Sequence, residues 1–452
     1  MGSFENAPVR VRRHRVEKTQ VTSKQALAGF AVWCTLVSSA AVAQTDGGSR
    51  MLRLRVGVGH TDNIGRDEEQ RSETYREAGL EAGLAMNRPR LTGSLGSSIT
   101  YSEYDEDDAT PLEGAVSGEL RAALVPNVFD WVATTDFATV RETLTEAPSP
   151  FNRQYLRVAA TGPDVFLPLG RRMSLDLSSR YEERDWQRSV RLDSEAVTTT
   201  LGIFRQLSRT QRLGVAGTLR RVEFDDPLVE RYDVASYYLS YSRQFASGSL
   251  QVDAGTTELE YGNEKADGPY VRFSWERGVA ARSSLQVYGR REFQDAGDQL
   301  SSGFVPDRGI EGEAIVATDP RIVETFGTVY SIDGRKATLS FDVSGRRERA
   351  EVEPAADAEA ERDSWRAGFA LGYPLGPTWT LGLRLSVTEE RFESLDGDAR
   401  QREAQLDLSR PFGRTLRFVL QYERYDRDAD FGSEGTENRV RAMVAWEPSR
   451  RR

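Results

Sequence analysis

Few residues of this chain could form an acid–base pair. Of its two histidines, His14 lies in a basic N-terminal segment and only His60 lies beyond it, in the stretch VGVGHTDNIG. A histidine near a carboxylate can act as a general base, so His60 with Asp62 is the one candidate for this role. No G-x-S-x-G sequence supplies a nucleophile beside it. The pattern therefore favours a histidine at the end of a strand over a catalytic one.

Metal-binding patterns are equally sparse. The acidic run Asp105, Glu106, Asp107 and Asp108 lacks the alternating spacing of a calcium loop, so it is typical of a solvated loop, bridged to lipopolysaccharide by divalent cations. Zinc prefers cysteine and histidine ligands, and Cys34 is the only cysteine. We therefore predict no catalytic residue, no metal site and no cofactor.

The N-terminus has the order of residue types found in a signal peptide. Basic residues from Arg10 to Lys24 precede the apolar run ALAGFAVWCTLV, and the small residues SSAAVAQ follow it. The apolar run is too short to cross a bilayer as a helix. We predict cleavage after Ala43, with residues 1–43 as signal peptide and 44–452 as the exported chain. That exported chain has no cysteine and forms no disulfide.

The composition fits either a polar soluble protein or an outer-membrane barrel. Of 452 residues, 38% are hydrophobic and 29% charged, with a formal net charge of -10. A barrel needs only every second strand residue to be apolar, so a low hydrophobic fraction does not exclude it. No apolar run beyond residue 50 is long enough for a membrane-spanning helix. The negative charge argues against a nucleic-acid partner.

Alternating segments recur along the chain and indicate strands with one apolar face. In the segment 416–422, Leu416, Phe418, Leu420 and Tyr422 alternate with polar residues and one valine. Comparable alternation occurs over 91–101, 173–178, 339–344 and 379–388, where apolar or small residues at every second position alternate with more polar ones.

The connections between these segments fall into two classes. Short turns such as PFGRT, DGRKA and QLSRT alternate with longer acidic stretches such as YSEYDEDDATPLEG and ELEYGNEKADGP. This sorting predicts an all-β fold, an antiparallel transmembrane β-barrel of roughly 18 to 20 strands with both termini at the short-turn end. We expect residues 295–324 to be either the longest external loop or a pair of short strands. A soluble β-sandwich or β-helix is the alternative, but neither explains the sorting.

The polar positions of the alternating segments predict which side chains face the interior of the barrel. Both signs of charge occur there, which favours a mesh of ion pairs over an ion-selective channel. The predicted pore-lining residues are Arg53, Arg55, Asp176, Arg180, Asp253, Arg272, Arg290, Asp342, Arg346, Arg384, Asp407, Arg417 and Arg441.

Aromatic residues near the strand ends separate by position. Counting in steps of two places Phe224, Phe392 and Tyr425 on the inner face. The same count places Tyr101, Tyr181 and Tyr422 on the lipid face, and Phe293 in phase with the lipid-facing residues.

Three stretches carry a resemblance to a known family. HTDNIGRDEEQ after the first strand, exits of the type YEERDW, and DPRIVETFGTVYSIDGRKATLSFDVSGRRERAE resemble the outer-membrane beta-barrel porins associated with PEP-CTERM and exosortase systems, across most of residues 51–446. Members of that family are encoded beside exopolysaccharide biosynthesis and protein-sorting genes. The resemblance implies a barrel in the Gram-negative outer membrane and assigns no catalytic residues.

These observations predict a porin-like barrel that is not an enzyme and serves exopolysaccharide export or an associated PEP-CTERM/exosortase surface system. The expected partners are outer-membrane lipid and lipopolysaccharide, the barrel-insertion machinery and polysaccharide-export components. Three alternatives stay open at this point: a general diffusion porin, a barrel enzyme acting on surface lipid or protein, and a structural or adhesive barrel with a plugged lumen.

Overall fold

The structure, a computed structural model, describes residues 50–105, 109–301, 320–350, 361–393, 397–430 and 432–448. The predicted signal peptide and its cleavage site lie outside the described residues. Across these ranges the chain consists almost entirely of strands joined by turns and loops.

Twenty strands follow one another along the described chain. Their bounds are β1 Arg50–Thr61, β2 Glu73–Arg88, β3 Leu91–Glu103, β4 Leu112–Val125, β5 Phe129–Val140, β6 Gln154–Pro168, β7 Met173–Trp186, β8 Ser194–Ser208, β9 Gln211–Phe224, β10 Tyr232–Phe245, β11 Gly248–Tyr261, β12 Glu264–Ala280, β13 Ser283–Gln294, β14 Arg321–Asp333, β15 Thr338–Arg349, β16 Arg362–Pro374, β17 Thr380–Phe392, β18 Gly397–Phe412, β19 Leu416–Ala429 and β20 Gly435–Trp446. A short helix, α1, spans Ala296–Ser301, and a single 3₁₀ turn spans Val190–Leu192. In the described ranges, neither helical segment has the length and apolar character needed to cross a bilayer.

The sheet closes on itself. Each strand pairs antiparallel with the next along the chain, and β1 also pairs with β20, from Leu54 opposite Trp446 to Thr61 opposite Arg439. Closure leaves no strand edge with unpaired backbone groups. The predicted antiparallel β-barrel is therefore confirmed, with a strand number at the upper limit of the predicted range.

The outer face of the barrel carries the apolar half of the alternation. On β19, Leu416, Leu420 and Tyr422 are 43%, 40% and 39% exposed, and Leu416 lies opposite Trp446 of β20. Tyr101 and Tyr181 are exposed on the same face of β3 and β7. Because side chains alternate along a strand, the intervening residues point into the lumen.

The two ends of the barrel differ in their connections. At the short-turn end the strands are joined by turns such as 209–210 and 246–247, and both β1 and β20 have their chain-terminal ends there. The long-loop end carries connections such as 62–72, 141–153 and 295–320.

One expected long loop is instead a tight turn at the long-loop end. In ELEYGNEKADGP, β11 and β12 stay paired up to Tyr261 opposite Glu264, so only Gly262 and Asn263 form the turn. Gly262 has a φ of +57°, which glycine adopts without a steric penalty, and a glycine–asparagine pair suits a two-residue hairpin.

The alternation makes a direct prediction about β19. Replacing Leu420 with arginine places a charge on the apolar outer face, and we expect a cost of about 2 to 4 kcal/mol if that face contacts hydrocarbon near the bilayer midplane. Arg417→Leu, on the inner face of the same strand, should change stability much less. Denaturant unfolding of both variants in phospholipid vesicles measures the difference. Equal losses would contradict the assignment of the two faces.

Candidate functional site

The strand register brings all of the predicted pore-lining residues to the inner face of the barrel. Arg417, for example, alternates with the outward Leu416 and Phe418, and Arg272 lies opposite both Asp253 and Arg290 on the neighbouring strands. That these residues line a conducting path stays a prediction.

Near the short-turn end, three of these arginines share two glutamates. Arg53 donates to Glu81 and to Glu447, both at 2.7 Å. Arg55 lies 3.3 Å from Glu81, and Arg417 lies 3.7 Å from Glu447. Because Glu447 follows the last residue of β20, this cluster also joins the chain beyond the last strand to the inner wall.

Other predicted residues form separate ion pairs elsewhere on the inner wall. Arg180 donates to Asp164 at 2.7 Å, and Asp176 accepts a hydrogen bond from Arg212. Arg272 donates to Glu292 at 2.8 Å. In the described part of the chain, no ion pair involves Asp253, Asp342, Arg384 or Asp407; Asp407 instead accepts hydrogen bonds from Gln405, the shorter at 2.9 Å.

The connection between β5 and β6, hereafter the 141–153 segment, crosses the lumen at the long-loop end. Arg427 of β19 donates to the carbonyl of Thr145 at 2.8 Å, and Arg66, between β1 and β2, donates to the carbonyl of Pro148 at 3.1 Å. Arg141 lies 3.6 Å from Glu390 of β17. These partners are far from β5 and β6 in the order of strands, so the segment spans the barrel interior.

Arg66 is the centre of the contacts that hold this segment. Its side chain is fully buried, donates to Glu437 at 2.7 Å and to Glu423 at 3.2 Å, and lies 4.1 Å above the ring of Tyr425. Arg441 donates to the second oxygen of Glu423 at 2.6 Å. We call this group the Arg66 node. It joins the β1–β2 connection, β19, β20 and the 141–153 segment.

A second segment enters the lumen from β13. Asp295 and α1, together the 295–301 segment, reach the inner faces of β7, β10 and β15. Asp295 accepts hydrogen bonds from Arg184 of β7 and Tyr232 of β10. Gln299 accepts one from Arg346 of β15 at 2.5 Å. The described start of the expected external loop is thus an inward-folded helix, and its end, from Arg321, belongs to β14.

Apolar contacts also hold the 295–301 segment against the inner wall. Ala296 is buried with Val140, Leu156 and Trp186, which come from the inner faces of β5, β6 and β7. At the tip of the β13–β14 hairpin, Phe293 has the outward phase that the sequence predicts. It is nevertheless buried against inner-face residues such as Tyr232, because the hairpin tip bends into the lumen.

The inner-face prediction for the other exit aromatics agrees with the structure. Tyr425 and Phe392 are buried, at 0% and 1% exposure. Phe224 packs against the buried cluster around Tyr232, with ring centroids 6.3 Å apart.

The sequence reasoning missed the 141–153 segment. Its signal is visible in RETLTEAPSPFNR, which contains Leu144, Ala147 and Phe151, whereas a connection such as 62–72 (DNIGRDEEQRS) is mainly acidic and polar. Leu144 and Ala147 are buried at 2% exposure. Apolar residues in a connection at the long-loop end are therefore the pattern that indicates an inserted segment.

His60 does not lie in the lumen. It points outward from β1, and its Nδ1 is 2.9 Å from the hydroxyl of Thr74. Asp62, the other half of the candidate pair, accepts hydrogen bonds from the backbone and side chain of Asn438, both at 2.7 Å. The described contacts thus engage the two side chains with different partners.

The acidic run is described only at Asp105, whose backbone N–H donates to Glu73 at 2.7 Å; residues 106–108 lie outside the described ranges. Within those ranges, no three histidine, cysteine or carboxylate side chains are grouped as metal ligands would be.

Comparisons with known proteins were made at the level of sequence and structure. No family model and no curated protein matches the chain. A BenF-like porin from Pseudomonas fluorescens Pf-5 aligns over 89% of this chain and 98% of its own, with 9% identity and a TM-score of 0.38. OccK2 (OpdF) from Pseudomonas aeruginosa aligns over 88% and 98%, with 13% identity and a TM-score of 0.35. The FrpB iron transporter from Neisseria meningitidis aligns over 91% and 82%, with 8% identity and a TM-score of 0.42. At these values no function is transferred to this chain.

The Arg66 node yields a stability prediction. Arg66→Ala leaves Glu423 and Glu437 with fewer cationic partners in a buried site, and such a change typically costs about 3 to 5 kcal/mol. The matched control is Arg221→Ala, which breaks the exposed pair with Asp233 at 2.7 Å on the outer face and should cost much less, because solvent screens an exposed ion pair. Denaturant unfolding measures both, and similar losses would contradict the central role of Arg66.

Proposed function

We propose that the chain is a porin-like β-barrel of the Gram-negative outer membrane. The observation that carries this proposal is the apolar outer face of a closed barrel. Val56, Val215 and Phe326 are 61%, 63% and 66% exposed on three well-separated strands. A continuous apolar surface of this kind is unfavourable in water and favourable against hydrocarbon. Export by the predicted signal peptide is part of the proposal.

The orientation follows from the connections. Outer-membrane barrels have short turns on the periplasmic side and longer loops outside. The short-turn end would then face the periplasm, and the 141–153 and 295–301 segments would lie beneath the outer mouth.

The 141–153 and 295–301 segments would set the size of the solutes that can pass through the lumen. Barrels of about 16 to 18 strands already enclose an aqueous channel, so a barrel of this size needs inserted chain to narrow its interior. The inner wall offers hydrogen-bonding groups of both signs, which favours hydrated polar solutes over ions of one sign.

The finer role that we propose is exopolysaccharide export, or transport within a PEP-CTERM/exosortase surface system. Support comes from the sequence resemblance and from the hydrogen-bonding character of the inner wall. Deleting the gene should reduce surface polysaccharide, and the wild-type gene should restore it. Unchanged polysaccharide would contradict this role and leave general diffusion as the alternative.

A plugged structural barrel is the second candidate, and the Arg66 node favours it. A fully buried arginine with two carboxylates and a backbone carbonyl as partners describes a well-fixed segment. Channel and plug differ in one measurable property, the conductance of the reconstituted protein.

Loosening the 141–153 segment tests the channel. We expect Arg141→Ala combined with Arg427→Ala to raise single-channel conductance several-fold in planar bilayers, because the segment loses two of its anchors across the lumen. The control removes two outward arginines, Arg221→Ala with Arg347→Ala, and should conduct like the wild type. Absence of current steps in every protein at all voltages would contradict the channel and support the plug.

An engineered disulfide that can be reduced again tests the same segment without removing charge. The N–H of Ala147 donates to the Ser433 hydroxyl at 2.7 Å, so these two positions are close enough for a disulfide. We expect Ala147→Cys with Ser433→Cys to show only the smallest conductance level when oxidised and to regain wild-type steps on reduction. The control pair is Arg221→Cys with Asp233→Cys, which face each other on the outer surface of β9 and β10. Large conductance steps in the oxidised Ala147→Cys/Ser433→Cys variant would contradict the idea that movement of the segment opens the lumen.

A further inference from the structure

The short-turn end carries a ring of exposed cations, hereafter the basic ring. Its members lie at strand ends or in turns around the whole barrel, from β2 to β19. They are Arg88, Arg90, Arg171, Arg172, Arg205, Arg209, Arg243, Arg277, Arg282, Arg335, Lys336, Arg410 and Arg414.

The basic ring differs from the arginines at the long-loop end in its partners. There, outward arginines pair with carboxylates on the next strand, as in Arg347 with Asp363 at 2.8 Å and Arg391 with Asp398 at 2.9 Å. Over the described ranges, no member of the basic ring forms an ion pair with a carboxylate. Glu276, next to Arg277 in sequence, is the nearest acidic residue and lies on the opposite face of β12, and Asp333 lies two residues before Arg335. Within the described ranges, the positive charge of the basic ring is thus not neutralised by ion pairs.

Part of the basic ring lies on the outer face, in phase with the apolar side chains. Arg205 is opposite Met173, Arg277 is opposite Leu285, and Arg410 is opposite Phe418. These arginines therefore lie at the edge of the apolar belt. A long arginine side chain can keep its stem on apolar surface there and extend its charged head into a polar layer.

Aromatic rings accompany these arginines. The guanidinium of Arg410 lies 5.4 Å from the ring of Trp379 and 5.3 Å from the ring of Phe412, and that of Arg243 lies 4.8 Å from Phe245. Aromatic residues concentrate at the level of lipid headgroups. The combination marks the boundary between hydrocarbon and headgroups.

The geometry points to anionic phospholipid headgroups as the partner of the basic ring, in the leaflet that meets the short-turn end. A protein partner would need a patch on one side, whereas these cations surround the barrel as a flat leaflet does. Phosphate on an anionic lipid supplies the missing negative charge, and basic residues at a membrane surface are attracted by anionic lipid. This inference rests on the proposed membrane location.

Spin-labelled lipids provide the test. The full mature chain is folded into phosphatidylcholine vesicles, and electron paramagnetic resonance compares its association with labelled phosphatidylglycerol and labelled phosphatidylcholine. We expect phosphatidylglycerol to be favoured several-fold, and the preference to shrink at about 1 M salt because screening weakens exposed charge interactions.

A charge-matched pair of variants locates the effect. Arg205→Gln, Arg243→Gln, Arg277→Gln and Arg410→Gln together should remove most of the preference. The control makes the same change in charge at the other end, with Arg221→Gln, Arg347→Gln, Arg391→Gln and Arg402→Gln, and should keep it.

Three outcomes would overturn the inference. The folded wild type could show no preference between the two lipids, or both variants could lose the preference for phosphatidylglycerol to the same extent. The third is a wild type that binds soluble polyglutamate but shows no preference among lipids. If the first variant does not fold, the inference is tested by the wild type alone, whose preference for phosphatidylglycerol must shrink at high salt. A wild type that folds into no vesicle, judged by its lack of heat-dependent mobility in gels, would contradict the membrane location itself.

Discussion

The pairing of β1 with β20 is the constraint on which the rest of this structure depends. Until these strands meet, the sheet has two edges of unpaired backbone groups and no interior. Once they meet, every strand has an inner and an outer face, and the alternation of each strand assigns its side chains to one of them. The apolar belt, the ion pairs of the lumen and the inserted segments all follow from that single closure.

The closed barrel has an interior volume that must be filled and buried polar groups that need partners. A barrel of this circumference is too wide for its inner side chains to fill, so its own connections enter. Their backbone carbonyls need donors, and arginines from distant parts of the barrel supply them, as Arg66 and Arg427 do for Pro148 and Thr145. Buried ion pairs add little net stability, but removing one member is costly. The ionic mesh therefore specifies where the segments lie more than it adds to the stability of the barrel.

The sequence predicts the wall of the barrel better than its contents. Period-two alternation assigns Leu420 to the outside, and Arg417 and Tyr425 to the inside, because each residue's face depends only on its neighbours along the strand. The position of Asp295 beside Arg184 depends on strands that are far apart in the chain, and no local pattern contains that information. Phe293 shows the limit clearly, since its phase is as predicted while the bend of its hairpin reverses its surroundings.

The Arg66 node also has a kinetic meaning. Glu437 of the node also accepts a hydrogen bond from Thr61 of β1, and these two residues are separated by 376 positions along the chain. Contacts between residues so distant form late, because the intervening chain must first be ordered. The 141–153 segment gains its anchors on β19 and in the node only when the last strands arrive. Anchoring this segment at the long-loop end and completing the barrel are thus one event, and a partly assembled barrel lacks the anchored segment.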